Sequence, residues 1–322
     1  MFKFNFSVEN EDDERSKEST TCVEEIVSDS NSNQVPFGII DFEELDTLSE
    51  HNERLDSKFF KKFMLDDANF VEYFYIENSN LLNLIKNNEN LIEITKTHDL
   101  ENGKYEGGFK VWECSMDLSS YLYSNYHTDL SELSIFELGC GHALPSLSLI
   151  KRLLSIKNSK LKTVNLYLQD YNRDCIELIT YLNVKKFLVD NSEELTRCFE
   201  KLNIKFVFGD WKSVESLLPS NSFDLLLTSE TIYNRLYYKS LLELCKHLLR
   251  DASSKLDFDS CILLAAKTCY FGCSGSLHEF LNSSKLYNFK FSENLLVNRN
   301  QEEQQAIIHG SVSREIILLN KF

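Results

Sequence analysis

Residues Ser134–Leu147 read SIFELGCGHALPSL. A short apolar run, Ile135 and Phe136, ends in an acid, Glu137. Gly139 and Gly141 come next at a G-x-G spacing, and then Pro145 and an apolar pattern of helical period. The stretch reads as strand, tight turn, helix. Glycines in such a turn admit positive φ and let the backbone approach a ligand. The helix beyond aims its unpaired N–H groups at the same point. A glycine pattern of this kind is weak alone; the polar clusters that recur downstream at regular distances give it weight.

Downstream, strand and helix alternate. Val164–Leu168 is an apolar strand followed by QDYN and a helical run over Arg173–Val184. Phe206–Phe208 ends in GDW. Phe223–Thr228 (FDLLLT) ends in SETIYN, and a helix continues through Leu249. Cys261–Ala266 (CILLAA) leads into KTCYFGCSGS and another helix. Phe289–Val297 and Arg314–Leu319 are late strands with no helix between them long enough for a parallel crossover. Continuous apolar strands separated by helices predict a parallel sheet covered on both faces. The late pair predicts an antiparallel hairpin at its edge. The expected fold is therefore α/β: a Rossmann-like, seven-stranded, doubly wound sheet with a C-terminal antiparallel hairpin and an N-terminal extension, the architecture of class I methyltransferases.

The organisation expected is an acidic, mostly disordered tail over 1–35, a helical extension over 36–105, and the main domain over 106–322. The extension shows apolar faces at helical spacing at Phe59, Phe60, Phe63 and Met64, and again at Leu81, Leu82, Leu84 and Ile85. Net charge is −16, and residues 1–60 hold sixteen acids against five bases, so most of the excess lies there. A pI near 5.0 argues against direct nucleic-acid binding and suits a basic protein partner. The nine cysteines contain no C-x-x-C pair, and the lone Cys269/Cys273 spacing has no second half, so no metal site is expected. Several lie among apolar residues, as reduced thiols do. The opening residues are polar and acidic, and no apolar run approaches the ~18 residues of a membrane span. The expectation is a monomer of the cytoplasm or nucleus, away from membranes.

Ligands of open α/β sheets bind beyond the carboxyl ends of the strands. After the first strand comes the Glu137–Gly141 turn. At the end of the second is Asp170, placed to accept the ribose hydroxyls of an adenosine, or to cap the next helix. After the third come Gly209, Asp210 and Trp211, an acid and an indole suited to an adenine amine and ring, although Trp211 also suits a core. After the fourth come Ser229, Glu230, Tyr233 and Asn234, where substrate should meet cofactor; Glu230 also suits an exposed surface. The four together point to bound S-adenosyl-L-methionine. The loop lacks the G-x-G-x-x-G of a dehydrogenase, because Ala143 and Pro145 stand where glycines are wanted.

The blocks DLENGKYEGGFKVWECSMDL (Asp99–Leu118), ELGCG, QDYN, GDW, TSETIYN (Thr228–Asn234) and AAKTCYFGCSG (Ala265–Gly275), with the FKFNF start, resemble the eukaryotic protein-histidine N-methyltransferases that modify large-subunit ribosomal protein three. The resemblance implies a transfer from S-adenosyl-L-methionine, with S-adenosyl-L-homocysteine as product, to a histidine of a basic ribosomal protein. It implies that Val111, Trp112, Glu113, Cys114 and Ser115 close over the cofactor. Glu137, Gly139 and Gly141 would form the first turn, with the glycines at the methionine part. Gln169, Asp170 and Tyr171 would surround the ribose; Gly209, Asp210 and Trp211 would border adenine; and Ser229 would complete the pocket. Direct displacement needs alignment more than a strong base, because imidazole is largely neutral at pH 7. Glu230 is expected to favour the cationic ring, with Tyr233 or Asn234 orienting it and Glu113 as the next candidate. Other acceptors on the same fold, lysine among them, and a non-catalytic ribosomal-protein binding module are the alternatives.

Overall fold

The structure is a computed structural model that describes residues 36–48, 60–74, 105–156, 159–251, 260–295 and 312–322. The tail over 1–35, the helical pattern at Leu81–Ile85, Phe59 and the end of the late strand at 296–297 lie outside the described residues.

In chain order the elements are β1 (Gly38–Asp41), α1 (Phe42–Leu48), β2 (Phe60–Met64), β3 (Phe70–Phe74), α2 (Glu113–Asn125), β4 (Glu132–Leu138), α3 (Leu144–Ser155) and β5 (Thr163–Asp170). Helix α4 starts at Arg173–Cys175, passes through a π-helical turn at Ile176–Thr180 and continues over Tyr181–Asp190. Then come α5 (Ser192–Cys198), β6 (Lys201–Phe208), α6 (Trp211–Glu215), β7 (Leu225–Ser229), a 3-10 turn (Arg235–Tyr237), α7 (Tyr238–Leu248), β8 (Cys261–Lys267), α8 (Leu277–Lys285), β9 (Phe289–Phe291) and β10 (Arg314–Lys321).

The main sheet runs β1-β6-β5-β4-β7-β8-β10-β9. Strands β4 to β8 are mutually parallel where they pair, and β10 and β9 form the expected antiparallel edge. An eighth strand joins the seven expected: β1 pairs antiparallel with β6, from Gly38 opposite Phe208 to Asp41 opposite Lys205. Strand order reverses between β4 and β7, which opens the ligand crevice there.

Both faces of the sheet are buried, which is why its central strands are continuous apolar runs. Leu133 and Ile135 of β4, Leu225 and Leu227 of β7, and Leu263 and Ala265 of β8 join one core. Phe136, Leu138, Leu226, Ile262 and Leu264, offset by one residue, join the other. On the first face, α2 buries Cys114, Leu118, Ser119, Leu122 and Tyr123, a stripe of helical period.

The helix expected around Phe60, Phe63 and Met64 is overturned. Phe60–Met64 is a strand, paired antiparallel with β3 from Phe60 opposite Phe74 to Met64 opposite Phe70. The turn between them is tied by Asp66, whose Oδ1 accepts the N–H groups of Ala68 and Asn69 at 2.8 and 2.7 Å. Among the described residues, no helix is long and apolar enough to cross a membrane.

Candidate active site

The turn after β4 bends through three left-handed residues, Gly139 (φ 62°), Gly141 (φ 47°) and Ala143 (φ 57°). A side chain at Gly139 would place its Cβ 2.7 Å from Thr231 Cγ2, so the loop after β7 lies directly against the turn. Thr180 Oγ1 donates to the Gly141 carbonyl at 2.6 Å; the π-helical turn of α4 delivers that hydroxyl. Glu137 does not reach the cavity, contrary to expectation. It is 1% exposed, its Oε2 accepts the N–H and hydroxyl of Ser146 at the start of α3, and burial pushes its pKa up to about 8. It is a neutral helix-start acceptor.

The residues after β5 tie the strand ends together. Gln169 Oε1 accepts from Gly139 N at 3.1 Å and Trp211 Nε1 at 2.9 Å, while its Nε2 donates to Gly209 O at 2.9 Å. Asp170 accepts from Gly141 N at 3.0 Å and Asn172 N at 3.2 Å, and burial raises its pKa to about 6. Gln169 and Asp170 thus hold the cradle's backbone and, as expected, also line the cavity. Tyr171 lines the cavity. Gly209 and Asp210 line the cavity as expected, and Asp210 also caps α6, accepting from Lys212 N and Ser213 N, both at 3.1 Å, and from Ser213 Oγ. Trp211 keeps its expected place on the wall, its indole edge-on to Tyr237 with ring centres 6.2 Å apart.

The segment before α2 forms a strap over the glycine turn. Gly108 fits because a Cβ there would lie 2.5 Å from Cys175 Sγ and 3.1 Å from Asp170 Oδ2. Trp112 Nε1 donates to Gly107 O at 3.0 Å. Val111, Trp112 and Ser115 line the cavity as expected, but Glu113 and Cys114 do not. Cys114 turns into the core at 0% exposure, and Glu113, with 52% of its side chain exposed, pairs with Lys267 at 3.1 Å.

Ser229, Glu230 and Tyr233 line the cavity beyond β7. Glu230 adopts φ 57°, a rare conformation for a residue with a side chain, of the kind that clusters at functional sites. The residue is 8% exposed; Lys267 Nζ lies 3.2 Å from its Oε1, and the Cys114 thiol and Tyr270 hydroxyl lie beside it. Tyr233 donates to Glu106 Oε2. Asn234 is not in the cavity: its Oδ1 accepts from Leu236 N and Ser274 Oγ, capping the 3-10 turn.

Sequence reasoning missed Glu106, Lys267 and Tyr270, which also line the cavity. Reading one strand end further would have reached Lys267, the last residue of β8. Glu106 precedes the Gly107–Gly108 pair, but nothing local shows that its carboxyl takes the hydroxyls of Tyr233 and Tyr237.

The cavity enclosed is about 680 Å³, a size suited to a nucleoside-type cofactor with room for an acceptor side chain. The residues fit S-adenosylmethionine. Gly139 and Gly141 leave room along the turn, Trp211 and Tyr171 present aromatic surfaces, and the cavity continues past Ser229 to Glu230 and Lys267. Among the described residues, no His, Cys, Asp and Glu cluster could hold a metal ion.

The doubly wound sheet with a nucleoside-sized cavity at its switch point is the Rossmann-like α/β architecture expected of a class I methyltransferase. The family model described as lysine methyltransferase matches residues 87–271, more than half of the chain, and the protein belongs to that family. It is 36% identical over 203 residues to a histidine protein methyltransferase 1 homologue of Dictyostelium discoideum, a match covering 63% of this chain and 56% of the relative. The Bos taurus homologue is 33% identical over 220 residues, covering 61% and 54%. The Saccharomyces cerevisiae histidine protein methyltransferase 1 is 29% identical over 223 residues, covering 57% and 58%. The chain spans about half the length of the curated relatives it matches.

Proposed function

We propose that this protein methylates a histidine side chain of a basic ribosomal protein. The observation that carries the reading is Glu230: a buried acid held in a left-handed conformation at the acceptor end of the cavity, with lone pairs beyond its contact with Lys267. An imidazole N–H can donate to Glu230, which fixes the tautomer and leaves the other ring nitrogen's lone pair free. S-adenosylmethionine supplies an electrophilic methyl group when bound. The ring would become cationic as the new N–C bond forms and the sulfonium S–C bond breaks, with the neutral thioether S-adenosylhomocysteine leaving; the Glu230 carboxylate favours that charge before the N–H proton leaves to water. Tyr233, whose hydroxyl is committed to Glu106, contributes a wall that confines the ring. Gly139, Gly141, Asp170, Tyr171, Trp211, Ser229 and, from the strap, Val111, Trp112 and Ser115 would hold the cofactor, with alignment supplying on the order of several kcal/mol.

The relatives' names favour histidine; the family description favours lysine. The acidic N-terminal region complements a basic substrate such as large-subunit ribosomal protein three. A monomer acting in the cytoplasm or nucleus, without direct nucleic-acid contact, completes the reading. Transfer of labelled methyl from S-adenosylmethionine to purified ribosomal proteins, with mass spectrometry locating the product, tests it. Methylhistidine on large-subunit ribosomal protein three is the expected result, and methyl-lysine overturns the acceptor. Cofactor binding without transfer moves the reading to a binding module. Glu230→Gln should lower kcat by roughly 10- to 100-fold, the worth of a charged hydrogen bond, with little change in cofactor affinity; equal losses in both would refute the role.

A further inference from the structure

The acceptor end of the cavity holds a charge arrangement that methyl transfer alone does not require. Lys267 Nζ lies 3.2 Å from Glu230 Oε1 and 3.1 Å from Glu113 Oε2, and 5.3 Å from the centre of the Trp112 ring. A second cation on the cavity wall, Lys110, sits 4.6 Å from the same ring. The other groups near Glu230 are neutral at pH 7: burial, and then the Glu230 charge, push the Tyr270 hydroxyl and the Cys114 thiol upward. Asp117 is occupied by Arg314 at 2.5 Å. Glu230 thus shares the Lys267 ammonium with Glu113, so a fixed cation stands beside it while part of its charge stays available.

We propose that Lys267 is a specificity-determining residue: by placing a fixed ammonium on Glu230, it admits a neutral imidazole and rejects the cationic side chain of lysine. This inference rests on the methyl-transfer reading above. A lysine ammonium, charged at pH 7, would be drawn to a lone buried carboxylate. Here it meets a like charge a few ångströms away on a side chain only 22% exposed, where such repulsion is only partly screened. An imidazole is mostly neutral at that pH and meets no such repulsion. Its N–H still finds the carboxylate lone pairs that Lys267 leaves open. The same fold can then serve either acceptor, depending on whether a fixed cation from β8 stands beside the carboxylate beyond β7.

The test compares peptides of one basic sequence carrying His, Lys or norleucine at the acceptor position. For the wild-type protein, the norleucine peptide should compete with the histidine peptide at least about tenfold better than the lysine peptide. Lys267→Met and Lys267→Gln should narrow the His-to-Lys ratio of kcat/KM by about tenfold or more, and Lys267→Arg should preserve it. Cofactor affinity, read by calorimetry, should stay within about threefold in all of them. Lysine peptide competing as well as norleucine, or an unchanged ratio in the neutral variants, overturns the inference. The competition arm uses the wild-type protein, so it stands even where a variant fails to fold. Wild-type protein that methylates lysine in preference to histidine refutes the functional reading itself, which separates the two failures.

Discussion

Gln169→Leu removes the tie that binds three strand ends into one cradle. Gln169 is 1% exposed, and leucine nearly matches its volume, so the packing loss is small. What is lost is polar: the Gly139 N–H at 3.1 Å, the Trp211 indole N–H at 2.9 Å and the Gly209 carbonyl at 2.9 Å all lose their partner. A buried group left unsatisfied costs about 1–3 kcal/mol. All three residues border the cavity and regain some water, so the lower part of that range applies. The expected destabilisation is about 3–5 kcal/mol, a large share of the ~5–15 kcal/mol of a typical domain. Urea unfolding should show a lower midpoint at an unchanged slope. Cofactor titration should show weaker binding, because the first turn and the Trp211 turn no longer share an anchor. Gln169→Glu keeps both acceptor roles, sets a carboxylate against the Gly209 carbonyl, and should fall between. A Gln169→Leu protein that loses under about 1 kcal/mol and binds S-adenosylmethionine normally would refute the claim that this amide organises the site.

Two further predictions concern neighbouring parts of the site. Native Glu137 titrates near 8, against about 4.3 in an unfolded chain; between those limits the native state holds a proton that the unfolded state has lost. The resulting stabilisation is complete below the lower value and disappears as pH rises through about 8. Glu137→Gln cannot titrate and should flatten the fall in stability across that window, measured by thermal unfolding at stepped pH. A Cβ at Gly275 would lie 2.1 Å from the Ile232 carbonyl oxygen and 2.5 Å from Tyr233 C, both backbone. Gly275→Ala should therefore displace the acceptor loop and lower kcat by about 10- to 100-fold while cofactor affinity changes little; parallel loss of both would contradict this.

The parallel sheet was legible because its strands are buried on both faces and read as unbroken apolar runs, and because ligands collect at their carboxyl ends. That places Gly139, Gly141, Tyr171, Trp211, Ser229, Glu230 and Tyr233 on one cavity. Phe60, Phe63 and Met64 misled because i, i+3, i+4 apolar spacing fits a helix, whereas pairing with Phe70–Phe74 depends on a partner outside any local window. Asn234 looks like a ligand at a strand end, yet it lies off the cavity and caps the 3-10 turn that starts there, whereas Asp210 caps α6 and still lines the cavity. Where a helix begins decides whether such an oxygen faces its own backbone or a ligand.

By itself, then, the sequence determined the strand–helix alternation, the glycine turn and the polar residues gathered beyond the strands, because period, apolarity and backbone freedom are local properties of the chain. Tertiary structure alone decided which acids stay available. It turned Glu137 inward beneath Ser146, Glu113 out toward solvent, and Glu230 into the cavity beside a lysine 37 residues further along. Burial and the nearest charge set what a carboxylate can do, and both arise from distant segments brought together by folding.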